Sequence, residues 1–400
     1  MIPARYRELL AQPGVAVAYA AGIAARLPVS MYALAVLLLV QRRTGSLADA
    51  GLVTACAATG YALAGPALAR LADRRGPTRP LLATAAASAA AFVALVTVPV
   101  PAMAAVALLA GATLPPVAAC QRALWPRLVP AGVLDTALAV DAMLLDAFLI
   151  AGPLLVTAVI ALANPTAAIL VTAALLTTGA TWFALLPFVR AQRPSGRGRP
   201  DLAGPLRAAG IRTLVATIGL TGVALGSVRI TLVGFAENRG NPDMAGLLYT
   251  ALGIGSIAGG LWYGARTWRA PAEHRYTALL AIFGVAAPTL LAATSLPAMA
   301  ALAAVAGLAL APVTIGEFVL VRQCAPDGTV TEAYAWAITA TFAGGAAGTA
   351  LAAALVDHAG WRAGVPLVSA SLAVAAGTAL IRRRDLRPGA VLAAEGGDLA

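Results

Sequence analysis

Four hundred residues that are 60% hydrophobic and only 11% charged, with 39 Gly, 26 Pro and a mean hydropathy of +0.84, lie far from soluble globular composition, where about a quarter of residues are charged. Too few charged side chains exist to cover several soluble domains, which sets soluble enzymes and DNA-binding proteins aside. The net charge is +11 and all 28 basic residues are arginine; such a balance points to nucleic acid or to an anionic membrane surface, and the positions of the arginines decide between them.

A hydrocarbon core of about 30 Å needs roughly 20 apolar residues per helix. Twelve such runs follow one another, near 15–40, 48–69, 80–99, 101–121, 136–162, 165–189, 209–236, 245–264, 276–296, 298–321, 333–355 and 362–381. They are continuously apolar rather than alternating, so helices and not β-barrel strands are expected. The first run is too long for a cleavable signal, carries Arg26 in its middle and precedes eleven further spans. Short uncharged connections occur at Pro99-Val100-Pro101, Asn164-Pro165 and Thr294–Pro297. The longest connection, about 190–208, is rich in Pro, Gly and Arg and divides the spans into two sets of six. The expected organisation is a six-helix bundle over 1–190, a cytoplasmic linker over 191–208, a second six-helix bundle over 209–384 and a tail over 385–400.

Arginine asymmetry orients these spans. With the N-terminus inside, 22 arginines fall on the inner side and four, Arg42, Arg43, Arg239 and Arg362, on the outer; Arg26 and Arg229 remain in the membrane. Arg122 and Arg127 are counted among the inner loop charges. Both termini are therefore expected in the cytoplasm of a cell whose plasma (inner) membrane holds the chain. The basic charge reads as a topology signal, with no nucleic acid implied.

Sliding the chain on itself shows a repeat. At an offset of 195 the segment from Thr44 lies without a gap on that from Arg239, pairing Ala50-Gly51-Leu52 with Ala245-Gly246-Leu247, Gly60 with Gly255, Gly65 with Gly260 and Arg74 with Arg269. At 196, Gly111 meets Gly307, Pro116-Val117 meets Pro312-Val313 and Gly152 meets Gly348. Two parallel six-helix halves are a transporter architecture.

Cys56, Cys120 and Cys324 are widely spaced, form no CxxC and read as small buried hydrophobes. His274 and His358 fall in predicted loops, leaving no material for a metal cage or a catalytic triad. Gly253-Ile254-Gly255 and Gly344-Gly345 lie in apolar runs, where small residues allow close helix packing. No catalytic residue, metal or cofactor is expected.

Between the second and third spans stands ALARLADRRGPTRPLL, which resembles the loop motif of the major facilitator superfamily. Asp73, Arg74, Gly76 and Arg79 match in kind, while Ala69 replaces the first glycine; a degenerate copy follows at Gly264, Arg266 and Arg269. The resemblance covers almost the whole chain. It implies an all-α membrane protein of twelve transmembrane helices in two parallel-repeat bundles, with Asp73 and Arg74 gating the cytoplasmic ends of the helices. Ala151-Gly152-Pro153 in the fifth span looks like the core of the antiporter motif carried by exporters of that family, followed here by Leu154 and Leu155. Structurally the same dipeptide serves as a kink or packing notch. The arginine that the family associates with proton coupling in the fourth span is absent from 104–113, AAVALLAGAT.

Five ionisable residues fall within spans: Arg26, Asp141, Asp146, Arg229 and Glu317. Each costs about 2.5 kcal/mol or more at a helix centre, which makes each a candidate for substrate binding or proton coupling. At 1.5 Å rise per residue Arg26 and Asp146 lie at matching depth, so an ion pair between them is expected, as a coupling site or a structural tie. Asp141, five residues from Asp146, faces roughly 140° away. Arg229 and Glu317 differ in depth and are not expected to pair. Trp262, Tyr263, Tyr334 and Trp336 line the eighth and eleventh spans and belong to an interfacial aromatic belt or to the cavity; because Trp262-Tyr263 and Trp336 lie near cytoplasmic ends, the belt is expected.

The expected function is a monomeric secondary active transporter in the lipid bilayer that exports a small organic compound or drug in exchange for protons. Uptake of a small nutrient by the same fold is the alternative. A non-transporting receptor would need a larger cytoplasmic part than this chain offers.

Overall fold

The computed structural model describes residues 3–192 and 203–387. Most of the expected linker, and residues 388–400 of the expected tail, lie outside the described residues. Among the described residues twelve helices are long and apolar enough to cross a membrane: α1 (Val15–Thr44), α2 (Leu47–Arg75), α3 (Thr78–Thr97), α4 (Val100–Leu128), α5 (Ala131–Leu162), α6 (Pro165–Leu185), α7 (Ala209–Asn238), α8 (Pro242–Gly264), α9 (Ala272–Ala292), α10 (Leu296–Cys324), α11 (Val330–Ala359) and α12 (Trp361–Ile381). A short helix, Ala4–Leu10, precedes them. No strand occurs among the described residues.

The ends of these helices follow local chemistry. Ser46, Asn164 and Ser295 begin α2, α6 and α10, and each side-chain oxygen accepts a hydrogen bond from the backbone N–H three residues on, satisfying a donor that the first turn leaves free. Gly45 (φ +71°) and Gly76 (φ +80°) close α1 and α2 in conformations that side-chain-bearing residues rarely adopt. Several helices outrun their apolar windows: α2 continues to Arg75 and α4 to Leu128, and α5 begins at Ala131. Helical hydrogen bonding does not stop where hydrocarbon would, so a hydropathy window sees only part of each helix. His274 and His358 accordingly sit in terminal turns of α9 and α11 and not in loops.

The two halves repeat each other in three dimensions. α1 packs on α6 as α7 packs on α12, and α2 packs on α4 as α8 packs on α10. Backbones approach closely at the glycines of the sequence repeat: a Cβ on Gly60 would overlap the Leu108 carbonyl and one on Gly111 the Ala57 carbonyl, while Gly255 and Gly307 stand in the same relation to Ala304 and Leu252. Small residues give van der Waals contact between backbones where lipid supplies no hydrophobic drive. Both fourth helices of the halves are also interrupted. α4 breaks at Thr113-Leu114-Pro115-Pro116, where two prolines lack N–H donors, and α10 breaks between Gly307 and Leu310.

The halves meet chiefly through α2 against α11 and α5 against α8. That seam positions the residues described next.

Candidate functional site

Three elements of the first half converge on one carboxylate. Asp141 of α5 accepts hydrogen bonds on one oxygen from Arg26 of α1 and on the other from Nε of Arg122 of α4, the latter at 2.5 Å. All three residues are buried, with Asp141 wholly so. Arg26 also donates to Gln121 Oε1 at 3.3 Å, and Gln121 in turn donates to the Ala18 carbonyl. Phe148 lies 5.4 Å from the Arg26 guanidinium, and from the second half Phe318 and Tyr334 lie 3.9 and 6.0 Å from that of Arg122. Arg26 Nη2 and Arg122 Nη1 are buried without hydrogen-bond partners. Two guanidiniums thus share one carboxylate, and aromatic faces cover part of the remaining charge.

This arrangement corrects the expected Arg26–Asp146 pair. Depth along a helix is fixed by rise per residue, but partner choice depends on rotation about the axis, and Asp141 rather than Asp146 turns toward α1 and α4. Arg122 is corrected as well. It is a buried member of the cluster and not a loop charge, because α4 continues past the apolar window that placed it outside.

Asp146 faces the other half. Its Oδ2 accepts from Ser256 Oγ of α8 at 2.6 Å. Arg229 of α7, which is exposed, donates from Nε and Nη2 at 3.0 and 2.8 Å to the Oη of Tyr249, a residue that lines the same recess as Asp146. Asp146, Leu149, Ile150, Tyr249, Leu252 and Gly253 line a small recess at this point of the seam. Glu317 of α10 is buried beside Tyr276 and Thr221 and within the field of Arg122; its Oε1 has no hydrogen-bond partner. As expected, Arg229 and Glu317 do not pair.

Gly152 and Pro153 lie inside an unbroken α5. Gly152 abuts Ser30 of α1 so closely that any Cβ would collide with it. The dipeptide is a packing notch in this structure.

At the end of the bundle that carries the first and last described elements, Ala4–Leu10 and Arg383–Leu386, the halves are tied together. Arg70 of α2 donates from Nε and Nη2 to the two carboxylate oxygens of Glu332 of α11 at 2.8 and 2.5 Å. Asp73 accepts from the backbone N–H groups of Thr331 and Glu332 at 3.3 and 3.0 Å, using the free donors and positive end of α11. Thr136 Oγ1 donates to the Gly264 carbonyl at 2.8 Å, and Tyr6 Oη donates to the Gly260 and Leu261 carbonyls. Burial pushes the Tyr6 phenol up to about 12, so it stays a donor at neutral pH. Gly76 supplies the turn after Asp73, whereas Arg74 and Arg79 are exposed and form no ion pair among the described residues. The loop motif implies gating by Asp73 and Arg74; the arginine that bridges is Arg70, one helical turn before Arg74. The i, i+3 spacing of Arg70 and Asp73, which puts both on one helix face, was the available signal.

Of the aromatic residues expected in a belt, Tyr263 and Tyr334 are instead buried, while Trp262 is half exposed. Tyr334 donates to the Phe318 carbonyl at 2.9 Å, and Tyr263 accepts from Arg275 at 2.7 Å. Polar partners on neighbouring helices of the second half draw these rings inward.

Twelve helices in two repeated bundles, with ionisable side chains at the seam between them, define the fold of a multi-pass membrane transporter. The family model described as Major Facilitator Superfamily matches residues 18–231 and 214–398, and the chain belongs to that superfamily. Among solved structures, a bacterial homologue of the iron transporter ferroportin in its outward-facing state superposes with a TM-score of 0.73 at 14% identity, over 91% of this chain and 97% of that one. The human organic anion transporter MFSD10 (TETRAN) gives a TM-score of 0.73 at 16% identity, over 92% of this chain and 99% of that one. At such identities the likeness is one of fold. No curated protein matches the chain.

Proposed function

We propose that the chain is a secondary active transporter that exports a small organic compound from the cytoplasm in exchange for protons, as a monomer in the plasma (inner) membrane with both termini cytoplasmic. The arginine distribution supports that orientation. In this frame Arg70, Asp73, Thr136 and Tyr6 seal the cytoplasmic side. The side-chain hydrogen bonds that join the halves, among the described residues, run no deeper than Ser256 and Asp146 at mid-span. A seam bonded at one end only is one of the two states that alternating access requires.

The observation that carries proton coupling is the unlike treatment of the two carboxylates in α5. Asp141 is held on both oxygens by guanidiniums. Asp146 has a neutral hydroxyl from the opposite half as its hydrogen-bond donor, so it is free to gain and lose a proton as the halves move. Protonation would remove its attraction to Arg229 and leave the Ser256 contact as an ordinary neutral hydrogen bond. In this reading Asp146 carries the proton, Arg229 and Glu317 face substrate or gate, and Arg26 and Asp141 hold the first half together. Gly152-Pro153 sets the α1–α5 packing, and Asp73 with Gly76 shapes the cytoplasmic closure while Arg74 and Arg79 hold it at the membrane surface.

The test uses inside-out vesicles with an acid lumen and a panel of organic cations, anions and neutral amphiphiles. Gradient-driven accumulation of a panel member by the wild type, abolished in Asp146→Asn, is expected. Accumulation unchanged in Asp146→Asn removes the coupling role, and gradient-driven loss from the vesicles in place of accumulation favours uptake as the physiological direction.

A further inference from the structure

A cavity of about 310 Å³ lies at the end of the seam tied by Asp73, away from Asp146. Arg127, at the end of α4, lines it from the first half and Arg322, near the end of α10, from the second. Neither arginine forms an ion pair or a hydrogen bond among the described residues. Gln192 also lines the cavity, and its Nε2 is buried with no acceptor.

Two carboxylates share the wall. Asp73 is spoken for, because both of its oxygens accept backbone N–H groups at the start of α11. Asp327 is exposed at the rim, where water screens it. The groups without a protein partner are therefore the guanidinium of Arg127, exposed at the mouth, that of the half-buried Arg322, and the buried amide N–H of Gln192, arranged around a space large enough for several non-hydrogen atoms.

We propose that this cavity is a binding site for a phosphate-class anion, which bridges Arg127 and Arg322 and so fastens the two halves together. Guanidinium groups suit phosphate oxygens because their parallel N–H donors match the spacing of the oxygens. The anion is reached from the face at that end. It binds only while that face is closed, since parting the halves separates the two arginines, and it therefore holds the transporter in the present state. The site is independent of proton exchange through Asp146, so a failure of that reading leaves this one standing.

The experiment measures thermal unfolding of the full chain in phosphatidylcholine nanodiscs during titration with pyrophosphate, against sodium chloride at matched ionic strength. Pyrophosphate should raise the midpoint saturably where chloride does not. Arg127→Gln and Arg322→Gln should each weaken the effect about tenfold, and Asp327→Asn should strengthen it by removing a like charge at the rim. A lipid phosphate is the other source of the same chemistry. In that case phosphatidylglycerol nanodiscs alone raise the wild-type midpoint, both arginine variants lose the gain, and added pyrophosphate does nothing more. Stabilisation that is the same in wild type and both arginine variants, that chloride reproduces, or that neither phosphate source produces overturns the proposal. So does an Asp327→Asn variant that binds pyrophosphate no more tightly than wild type.

Discussion

Arg70 and Glu332 meet across the two halves of the molecule through two parallel hydrogen bonds, with the Glu332 side chain only 3% exposed. A paired fork of this kind holds direction as well as charge, and breaking it leaves a buried carboxylate without its cation. Arg70→Gln or Glu332→Gln should therefore weaken closure of this face by about 1.5–3 kcal/mol, the usual worth of hydrogen bonds to charged groups. Spin labels placed on α2 and α11 should report a longer mean separation in either variant. An unchanged distance distribution would show that the pair does not hold the face closed.

Asp141 should prove a residue of stability. Replacing it by alanine leaves Arg26 and Arg122 buried without a carboxylate, a loss of about 3–5 kcal/mol on the scale of broken buried ion pairs. The expected result is a strongly lowered midpoint of thermal unfolding in detergent, or loss of the folded protein at expression. Asp146→Asn keeps the shape of the side chain and an acceptor for Ser256, so its midpoint should stay near wild type. Equal loss of stability in the two variants would contradict the different roles assigned to these carboxylates.

The Asp146–Ser256 bond joins the halves at mid-span, at 2.6 Å. Ser256→Ala should cost about 1–3 kcal/mol of closed-state stability while leaving the carboxylate able to ionise. In vesicles it should change the rate of transport and keep proton dependence, whereas Asp146→Asn loses that dependence. A Ser256→Ala variant that loses gradient dependence would move the coupling role from the carboxylate to the hydrogen bond itself.

Gly111→Ala and Gly307→Ala should have matching effects, because each Cβ would strike a facing carbonyl at equivalent places in the two halves. Overpacking of this kind costs about 1–3 kcal/mol. Thermal unfolding of the two single variants should show similar losses. Gly51→Ala, where no atom lies near the added methyl group, serves as the neutral control.

Much of the fold could be read from the chain because it is written in long, repeated signals. Twelve apolar runs and the repeat linking Gly60 to Gly255 and Gly111 to Gly307 each span many residues, and both reappear as architecture. The site was less legible. Matching the depth of Arg26 and Asp146 ignored rotation, and a turn of roughly 140° separates the carboxylate that meets Arg26 from the one that meets Ser256. Arg122 escaped notice because hydropathy ended α4 at 121, one residue before it. Glu332 escaped because its partner lies far away in sequence, and nothing short of the packing of α2 against α11 brings it to Arg70.

The covering of Arg122 by Phe318, 3.9 Å away across the seam, has a bearing on how the two states differ in energy. The first half holds the charge and the second half holds its insulation. When the halves part, the aromatic face withdraws and water takes its place, so the hydration energy of one guanidinium enters the balance between the states. Dissolved salt screens that charge only after the parting, so this one guanidinium adds to the open state an ionic-strength-dependent contribution that the closed state lacks.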